Sequence, residues 1–301
     1  MIESGALIVN KHAGVTSHDI VNRIRRLYGT KKVGHTGTLD PMATGVLVVL
    51  VGRAVKASEY LTGCSKQYTA TLRLGITTDT EDTTGTVLTR CEALPSADEV
   101  IRAARGFVGD VEQMPPMYSA LKVGGRKLVD LAREGKVVER QARTVRIDAL
   151  DIEPTKELSD YILTVDCSGG TYIRTLCADI GASLGCGGVM ASLVRNRVDR
   201  FGLEMAHTIE KLEQMEMDER YSLLIPTEEL FAGYPSVRLI PFFEKLLRSG
   251  CHIYQKKIGT HYAIGERVRV CDENGKFIAL GKVTDTDEGS AIKSIKIFDL
   301  N

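Results

Sequence analysis

The spacing of apolar residues along the chain changes several times between the period of a strand and the period of a helix. Residues 66–74 alternate strictly between apolar and polar side chains, which predicts a strand with one buried face. The unbroken apolar run 46–51 predicts a second, buried strand. A helix is predicted after Ser17, its expected N-cap, and before Gly29. Further strands are predicted over residues 6–9, 143–152, 161–167 and 193–203, and further helices over residues 96–106 and 171–184.

These strands and helices follow one another without a regular βαβ order and without an internal repeat, which favours a mixed α+β fold. Residues 231–235 are predicted to be a linker, because the composition changes there. Beyond them, the Asn274-Gly275 pair is a strong hairpin signal. Short strands are predicted over residues 267–270, 277–280 and 292–298. We therefore expect two domains, residues 1–232 and residues 233–301, the second a small all-β barrel.

The overall composition is that of a globular protein, with 43% hydrophobic and 26% charged residues in a chain of 301. The chain has no apolar run long enough to cross a bilayer and no secretory signal, so we expect a cytoplasmic protein without a membrane partner. Its seven cysteines are scattered and never spaced C-x-x-C, which argues against a zinc ribbon and a thioredoxin-type site. Free thiols in a reducing compartment are the simplest interpretation.

Positive charge is concentrated in two segments, although the formal net charge is zero. A zero net charge is not typical of nucleic-acid-binding proteins, but the local field decides what a surface attracts. The first basic cluster comprises Arg23, Arg25, Arg26, Lys31 and Lys32. The second comprises Lys122, Arg126, Lys127, Arg133, Lys136, Arg140, Arg143 and Arg146, whereas acidic residues concentrate in residues 210–229. This segregation favours one phosphate-facing side, although each cluster alone would also fit a solvated face.

One carboxylate, Asp40, lies in a turn rich in Gly and Thr directly before the apolar run 46–51. Pro41 disfavours helical backbone at Asp40, so we expect the aspartate to be extended. The neighbouring glycines permit a close backbone approach, and the threonine hydroxyls can hold the turn together. The pattern predicts a carboxylate presented on a stiff loop over a buried strand, although an ordinary Asp-Pro turn has the same local sequence.

The sequence from Gly34 to Leu47, GHTGTLDPMATGVL, resembles the signature of the TruB-type tRNA pseudouridine synthases, which isomerise uridine in the T arm of tRNA. The resemblance extends to four more segments of the chain. They are residues 10–17, 66–80, 113–122 and 170–176. The resemblance thus covers the chain from residue 10 to about residue 200, which is the whole catalytic portion.

The resemblance implies an isomerase that flips uridine 55 out of the tRNA T loop and converts it into pseudouridine. Asp40 is then the catalytic aspartate, and Arg174 forms the salt bridge that keeps it ionised and oriented. From its position alone, Arg174 equally fits a surface arginine near the start of a helix. Isomerisation adds and removes no atom, so we expect no cofactor and no metal. Whether Asp40 attacks C1′ of the ribose or C6 of the base stays open.

Four further residues match active-site positions of the family. The resemblance implies that His35 lies against the RNA and that Tyr68 stacks on the flipped uracil. It also implies that Lys11 supports the loop and that Leu193 closes the pocket. By pattern alone, Tyr68 and Leu193 also fit core residues, and Lys11 fits a solvated lysine.

The fold implied by the resemblance is a pseudouridine synthase domain with a mixed, largely antiparallel sheet, followed by a PUA-like RNA-binding domain. The expected partner is the T arm of tRNA, bound by a monomer that needs no protein partner. Residues 114–138, rich in glycine and basic side chains, are implied to form a flap over the RNA. Leu128 stands there where the family often has an aromatic residue.

Three other functions agree with parts of the sequence. A guide-dependent relative that works inside a ribonucleoprotein particle is disfavoured by the short N-terminus and the lack of basic tails. An RNA-folding chaperone with an inert site is disfavoured by the intact Asp40 loop, although chaperoning can coexist with catalysis. A metal hydrolase would pair His35 with Asp40, but the further ligands that it requires are not evident.

Overall fold

A computed structural model describes residues 4–119 and 121–299 of the chain. The strands are β1 (Gly5–Lys11), β2 (Val33–His35), β3 (Thr44–Val51), β4 (Lys66–Leu74), β5 (Ile76–Thr78), β6 (Val87–Arg90), β7 (Gly109–Gln113), β8 (Lys122–Val123), β9 (Arg126–Lys127), β10 (Arg143–Pro154), β11 (Asp160–Cys167), β12 (Gly188–Val198), β13 (Phe201–Gly202), β14 (Ile225–Pro226), β15 (Ser236–Arg238), β16 (Ile253–Tyr254), β17 (Arg267–Cys271), β18 (Phe277–Thr284) and β19 (Ala291–Ile297). The α-helices are α1 (Ser17–Leu27), α2 (Ser58–Leu61), α3 (Ala97–Arg105), α4 (Leu128–Arg133), α5 (Ile173–Ser183), α6 (Ile209–Gln214), α7 (Met217–Ser222), α8 (Pro241–Arg248) and α9 (Gln255–Ile258). Ala120, which belongs to one of the segments that resemble the family, lies outside the described residues.

Ten strands form the central sheet, and their order determines where the Asp40 loop lies. The order is β14-β1-β3-β12-β4-β11-β10-β7, with β2 beside β3 and β13 beside β12. Among the described strands of this sheet, neighbours are antiparallel except β3 and β12, which run parallel and pair through Thr44 with Val194 and Gly45 with Arg195. Two antiparallel halves therefore meet at this junction, and the predicted α+β fold with a mixed, largely antiparallel sheet is confirmed.

The two strands with the clearest sequence patterns are found where they were predicted. β4 covers residues 66–74 and alternates between buried and half-buried side chains. β3 is buried along nearly its whole length, because it lies between two cores. Its even-numbered apolar residues pack in a core shared with the C-terminal part of the chain, and its odd-numbered residues pack beneath α1.

The N-cap of α1 is Thr16, so the prediction of Ser17 is wrong by one residue. The Thr16 hydroxyl accepts the Asp19 N–H, and the Asp19 carboxylate accepts the Thr16 N–H, with N–O distances of 3.1 and 2.9 Å. Both residue types favour the N-cap position, and the acidic side chain three residues later completes a capping box for Thr16. The Ser17 hydroxyl is therefore free to contact another segment.

The strand predicted over residues 193–203 is displaced toward the N-terminus, because β12 begins at Gly188 and ends at Val198. Gly188 lies under α5, where a Cβ atom would come within 2.7 Å of the Cys177 carbonyl oxygen. A glycine that permits such a close approach resembles a strand break in the sequence. At the other end, Asp199 adopts a left-handed φ of +53° and turns the chain into β13.

The C-terminal sheet has the order β15-β17-β18-β19-β16 and curls into a half-barrel. The predicted hairpin between β17 and β18 is confirmed, with Gly275 at φ +86°. The prediction of an all-β structure is wrong, because α8 packs against this sheet and buries Leu247 in its core. Pro241 begins that helix, at a position where a missing N–H costs no hydrogen bond.

The predicted linker at residues 231–235 is exposed only in part. Phe231 is only 2% exposed and packs against Tyr234, Phe277 and Phe298, with ring centroids 5.4–6.3 Å apart. Composition suggested a boundary, but the aromatic side chain joins the two parts of the chain in one core.

Residues 114–138 contain the hairpin β8–β9 and the helix α4. Leu128, at the start of α4, is 1% exposed, so the residue that departs from the family pattern is buried. The role of the segment as a flap stays a prediction. Of the helices in the described residues, none is both long and apolar enough to cross a membrane.

Candidate active site

The Asp40 loop, residues 36–43, connects β2 to β3 and begins the parallel junction of the sheet. Ser17 of α1 holds this loop through both backbone groups of Leu39. Its hydroxyl accepts the Leu39 N–H at 2.8 Å and contacts the Leu39 carbonyl oxygen at 3.1 Å. The Leu39 side chain is buried in the core, whereas the Asp40 side chain remains 32% exposed. The loop is thus anchored to α1 at Leu39, and its carboxylate is partly exposed to solvent.

Arg174, the second residue of α5, forms a two-point ion pair with Asp40. The Nε–Oδ2 distance is 2.9 Å and the Nη2–Oδ1 distance is 3.2 Å. The guanidinium also donates to the carbonyl oxygens of Thr80, at 3.1 Å, and Tyr118, at 2.8 Å. The Arg174 side chain is only 6% exposed, so the surface-arginine alternative is wrong. Fork-like pairs of this kind orient both carboxylate oxygens as well as stabilising the charge.

A second carboxylate, Asp82, lies 4.0 Å from the Nε of Arg174. It accepts hydrogen bonds from the Thr80 hydroxyl, at 2.7 Å, and from the Thr84 N–H, at 2.9 Å. Asp82 is only 5% exposed. The sequence reasoning did not select this residue, although it lies two positions beyond the segment that resembles the family. Arg174 is therefore held between one exposed and one buried carboxylate.

Lys11, the last residue of β1, lies beneath the Asp40 loop and is fully buried. Its ammonium donates to the carbonyl oxygens of Ala43, Pro41 and His12 at 2.6, 3.3 and 3.0 Å. Burial lowers the pKa of Lys11 to about 8, and Arg195 adds to this shift, whereas Asp40 opposes it. The ammonium contacts two backbone carbonyls of the loop, so the solvated-lysine alternative is wrong.

Tyr68 and Leu193 lie on the adjacent strands β4 and β12 and belong to the core cluster that contains Leu39 and Ala43. Each is 7% exposed. Burial raises the pKa of the Tyr68 phenol, and the nearby Arg195 opposes that rise. Both side chains therefore belong to the core into which Leu39 and Ala43 of the loop pack.

His35 ends β2, directly before the Asp40 loop. Its Nδ1 is buried without a hydrogen-bond partner, and burial lowers the pKa of the ring. Across residues 4–119 and 121–299, no group of three or more His, Cys, Asp or Glu side chains has an arrangement that could hold a metal ion. The described residues therefore offer no ligand set for the metal-hydrolase alternative.

Arg195 is a site residue that the sequence reasoning missed. It is 2% exposed, and its guanidinium spans the junction of the two half-sheets. Nε donates to the Val46 carbonyl at 2.7 Å, Nη2 to Gly37 at 3.0 Å and Nη1 to Thr38 at 3.4 Å. The sequence did contain an indication that Arg195 is buried, because it lies two residues from Leu193 and therefore on the same face of the strand. The backbone of the Asp40 loop is thus held from α1, β1 and β12.

The charge segregation predicted from sequence is only partial. Arg23, in the first basic cluster, lies 3.6 Å from Glu213 of the acidic segment. Arg25 donates to Asn22 and to the Val33 carbonyl, at 3.0 and 3.3 Å. These contacts show that α1 and α6 bring opposite charges together, so not every residue of the first cluster is available for phosphate.

Two family models match consecutive parts of the chain. The TruB family pseudouridylate synthase N-terminal domain matches residues 25–173, and the tRNA pseudouridylate synthase B C-terminal domain matches residues 174–232. The Asp40 loop lies in the first match, and Arg174 and Arg195 lie in the second.

Similar proteins and structures extend over nearly the whole chain. The tRNA pseudouridine synthase B of Alkaliphilus oremlandii is 43% identical over 99% of this chain and 98% of its own length. That of Mycobacterium sp. strain KMS is 46% identical over 76% of this chain and 80% of its own length. A Cbf5-Nop10-Gar1 complex contains a chain with the same fold, at a TM-score of 0.73 and 24% identity, covering 99% of this chain and 85% of that one. The chain therefore belongs to the TruB family of pseudouridylate synthases.

Proposed function

We propose that this chain isomerises uridine 55 in the T loop of tRNA to pseudouridine, acting as a monomer in the cytoplasm. The observation that carries the proposal is the two-point ion pair between Arg174 and Asp40 on an anchored loop at the centre of the sheet. The names of the relatives support tRNA as the substrate. A partly exposed carboxylate with a buried cationic partner suits a nucleophile that must stay ionised yet reach a substrate.

The reaction breaks the bond between C1′ and N1 of uridine and forms a bond between C1′ and C5. The proton on C5 is lost, and N1 gains a proton, so the atoms balance. Asp40 acts as the nucleophile, at either C1′ or C6, and departs when the product forms, which divides one difficult step into two. Arg174 orients the carboxylate oxygens and stabilises the negative charge that returns when Asp40 departs.

The other side chains of the site are assigned to the flipped base and the RNA. An extruded base needs an aromatic or apolar surface in place of its former stacking neighbours. Tyr68 and Leu193 offer such a surface in the core cluster beneath the loop, and the assignment of His35 to the RNA rests on its position directly before the loop. Lys11 contributes by holding the loop backbone from below.

We further infer that residues 1–232 are the catalytic domain and that residues 233–301 are a PUA-like RNA-binding domain. The supporting observation is the curled C-terminal sheet with its own core around Leu247 and Val268. The contact through Phe231 holds this sheet against the catalytic part, so both can contact one RNA.

Mapping of the product tests the proposed function. An unmodified tRNA transcript incubated with the purified protein should show one new primer-extension stop at uridine 55 after carbodiimide and alkali treatment. A transcript with cytidine at position 55 should show no new stop. Absence of the stop at uridine 55 at stoichiometric enzyme would contradict the proposal.

The titration of Lys11 predicts a loss of activity at alkaline pH. Below pH of about 8, its ammonium donates to three carbonyl oxygens, two of them in the Asp40 loop. Deprotonation removes one donor, so we expect kcat to fall as the pH rises through about 8. The measurement is a pH profile of single-turnover rates, and in Lys11→Met the rate should be lower and this alkaline decline should be absent.

Stability should change in the opposite direction over the same range. The pKa of Lys11 is lowered on folding from 10.5 to about 8, so between these values the unfolded chain binds more protons than the folded one. The contribution of Lys11 to the free energy of unfolding therefore rises with pH in this window. If the reaction rate of Lys11→Met still declines at alkaline pH, a group other than Lys11 controls that decline.

A further inference from the structure

Glu81 has an unusual backbone conformation for a residue with a side chain. Its φ is +62°, in the left-handed region that favours glycine. Asp199 is the other non-glycine residue with positive φ in residues 4–119 and 121–299, and it lies in an exposed turn between β12 and β13. Left-handed backbone at a glutamate persists only where the surrounding contacts hold it.

The contacts around Glu81 come from two directions. On the backbone side, the Met190 N–H of β12 donates to the Glu81 carbonyl at 3.0 Å, and the Thr83 N–H donates to the Met190 carbonyl at 3.1 Å. On the side-chain side, the Thr175 hydroxyl of α5 donates to the Glu81 Oε2 at 2.7 Å. The turn is thus fastened to the sheet by its backbone and to α5 by the carboxylate.

The residues beside this contact belong to the candidate active site. Arg174 directly precedes Thr175 in the first turn of α5, and its Nη1 donates to the carbonyl of Thr80. Its Nε lies 4.0 Å from Asp82. Three consecutive residues of the turn therefore contact two consecutive residues of the helix, and Glu81 makes the central contact.

The charges facing Glu81 come from several elements. Burial raises the pKa of the Glu81 carboxyl and Asp82 adds to this rise, whereas the Thr175 hydrogen bond, Arg174 and Arg140 oppose it. Asp179 lies one turn after Thr175 in α5. Burial raises the pKa of Asp179 to about 6, and the nearby Glu81 adds to this rise. Glutamate at this position costs backbone strain and the partial burial of a carboxylate. Glycine adopts the same φ without strain and has no side chain to bury, so a turn that only reverses the chain would favour glycine.

We propose that Glu81 is a positioning residue of the isomerisation: through Thr175 it holds the first turn of α5 so that the Arg174 guanidinium faces both oxygens of Asp40. This inference rests on the proposed function. Glu81 does not touch the reacting atoms, because its carboxylate is directed to Thr175 while the neighbouring backbone carbonyl contacts Arg174.

The decisive variant is Glu81→Gly, because it separates stability from positioning. Glycine adopts the left-handed φ without strain, and this relief opposes the loss of the hydrogen bond to the buried Thr175 hydroxyl, so the melting temperature should change little. Loss of the contact with Thr175 frees the start of α5, and we expect kcat to fall about 10- to 100-fold while the affinity for T-arm RNA stays unchanged. Thr175→Val should give the same loss, and the double variant should add little to it.

Two matched variants serve as controls. Glu81→Gln keeps an oxygen that accepts the Thr175 hydroxyl, so it should restore most of kcat. Asp199→Gly relieves the same kind of backbone strain at a turn outside the Asp40–Arg174 contact, and should leave kcat unchanged. Full kcat in folded Glu81→Gly would overturn the inference, as would a loss of kcat that only follows a loss of folded protein.

A second readout does not depend on product formation. In the free protein, the Nε–H of Arg174 is buried against Asp40, and its NMR signal should exchange slowly with solvent. Glu81→Gly should accelerate this exchange, whereas Asp199→Gly should not. If the wild-type protein makes no pseudouridine, the proposed function fails, but this exchange measurement still supports or overturns the positioning role.

Discussion

Asp40→Asn should form no detectable pseudouridine while still binding the T arm. Asparagine has nearly the same shape, so Ser17, Lys11 and the loop backbone keep their contacts. Its neutral amide is not a nucleophile, and loss of a nucleophile that acts with its partners typically costs at least about 10⁴-fold in rate. Single-turnover reactions with carbodiimide primer extension measure the product, and filter binding measures the affinity for RNA.

A matched control for this variant is Asp98→Asn, which neutralises an exposed aspartate in the first turn of α3. It should retain the wild-type rate, because Asp98 lies on a surface helix and has no contact with the Asp40 loop. Wild-type product from Asp40→Asn, with deamidation excluded by mass spectrometry, would remove Asp40 from the catalytic assignment.

Arg195→Met should destabilise the fold more than any surface substitution in the same strand. The guanidinium donates to three backbone carbonyls, of Val46, Gly37 and Thr38, and methionine can donate to none of them. The Val46 contact is buried, and an acceptor left there without a partner costs on the order of 1–3 kcal/mol, whereas Gly37 and Thr38 are accessible enough for water to replace the arginine; the free energy of unfolding should therefore fall by about 2 kcal/mol. Urea denaturation at neutral pH measures this difference.

The matched control is Arg197→Met, two residues further along β12. Arg197 is 39% exposed and pairs with Asp166 at 2.7 Å, so its removal should cost no more than about 1 kcal/mol. Equal losses in the two variants would show that Arg195 does not hold the junction. The folded fraction of Arg195→Met should also react slowly, because the Asp40 loop has lost one of its three supports.

The bounds of β4 were predicted correctly because strict alternation of apolar and polar residues is typical of a strand and of few other structures. It misplaced the N-cap of α1 because Thr16 and Ser17 are both good caps, and only the position of Asp19 distinguishes them. Helix α8 was missed because the C-terminal segment was assigned from its strands after residue 267 and from the Asn274-Gly275 turn, all of which lie beyond the helix. The N-cap was thus decided by a contact only three residues away, and the helix by the sheet against which it packs.

The residues of the candidate site were also only partly predictable from the sequence. The resemblance named Asp40 and Arg174, which are 134 residues apart, but periodicity alone left Arg174 equally fit for the surface. Arg195 was missed because an arginine on the buried face of a strand has meaning only once its carbonyl partners are known. Residues whose role is to hold backbone have no characteristic spacing, so sequence patterns detect them poorly.

The parallel junction between β3 and β12 also has a consequence for biosynthesis. β3 leaves the ribosome early, but the strand that completes its pairing ends at Val198, far along the chain. Pairings between such distant segments form late and slowly. A nascent chain therefore carries Asp40 without its counter-ion and without its β12 support until most of the protein has been synthesised, so the chemistry becomes available only to molecules whose translation has passed that point.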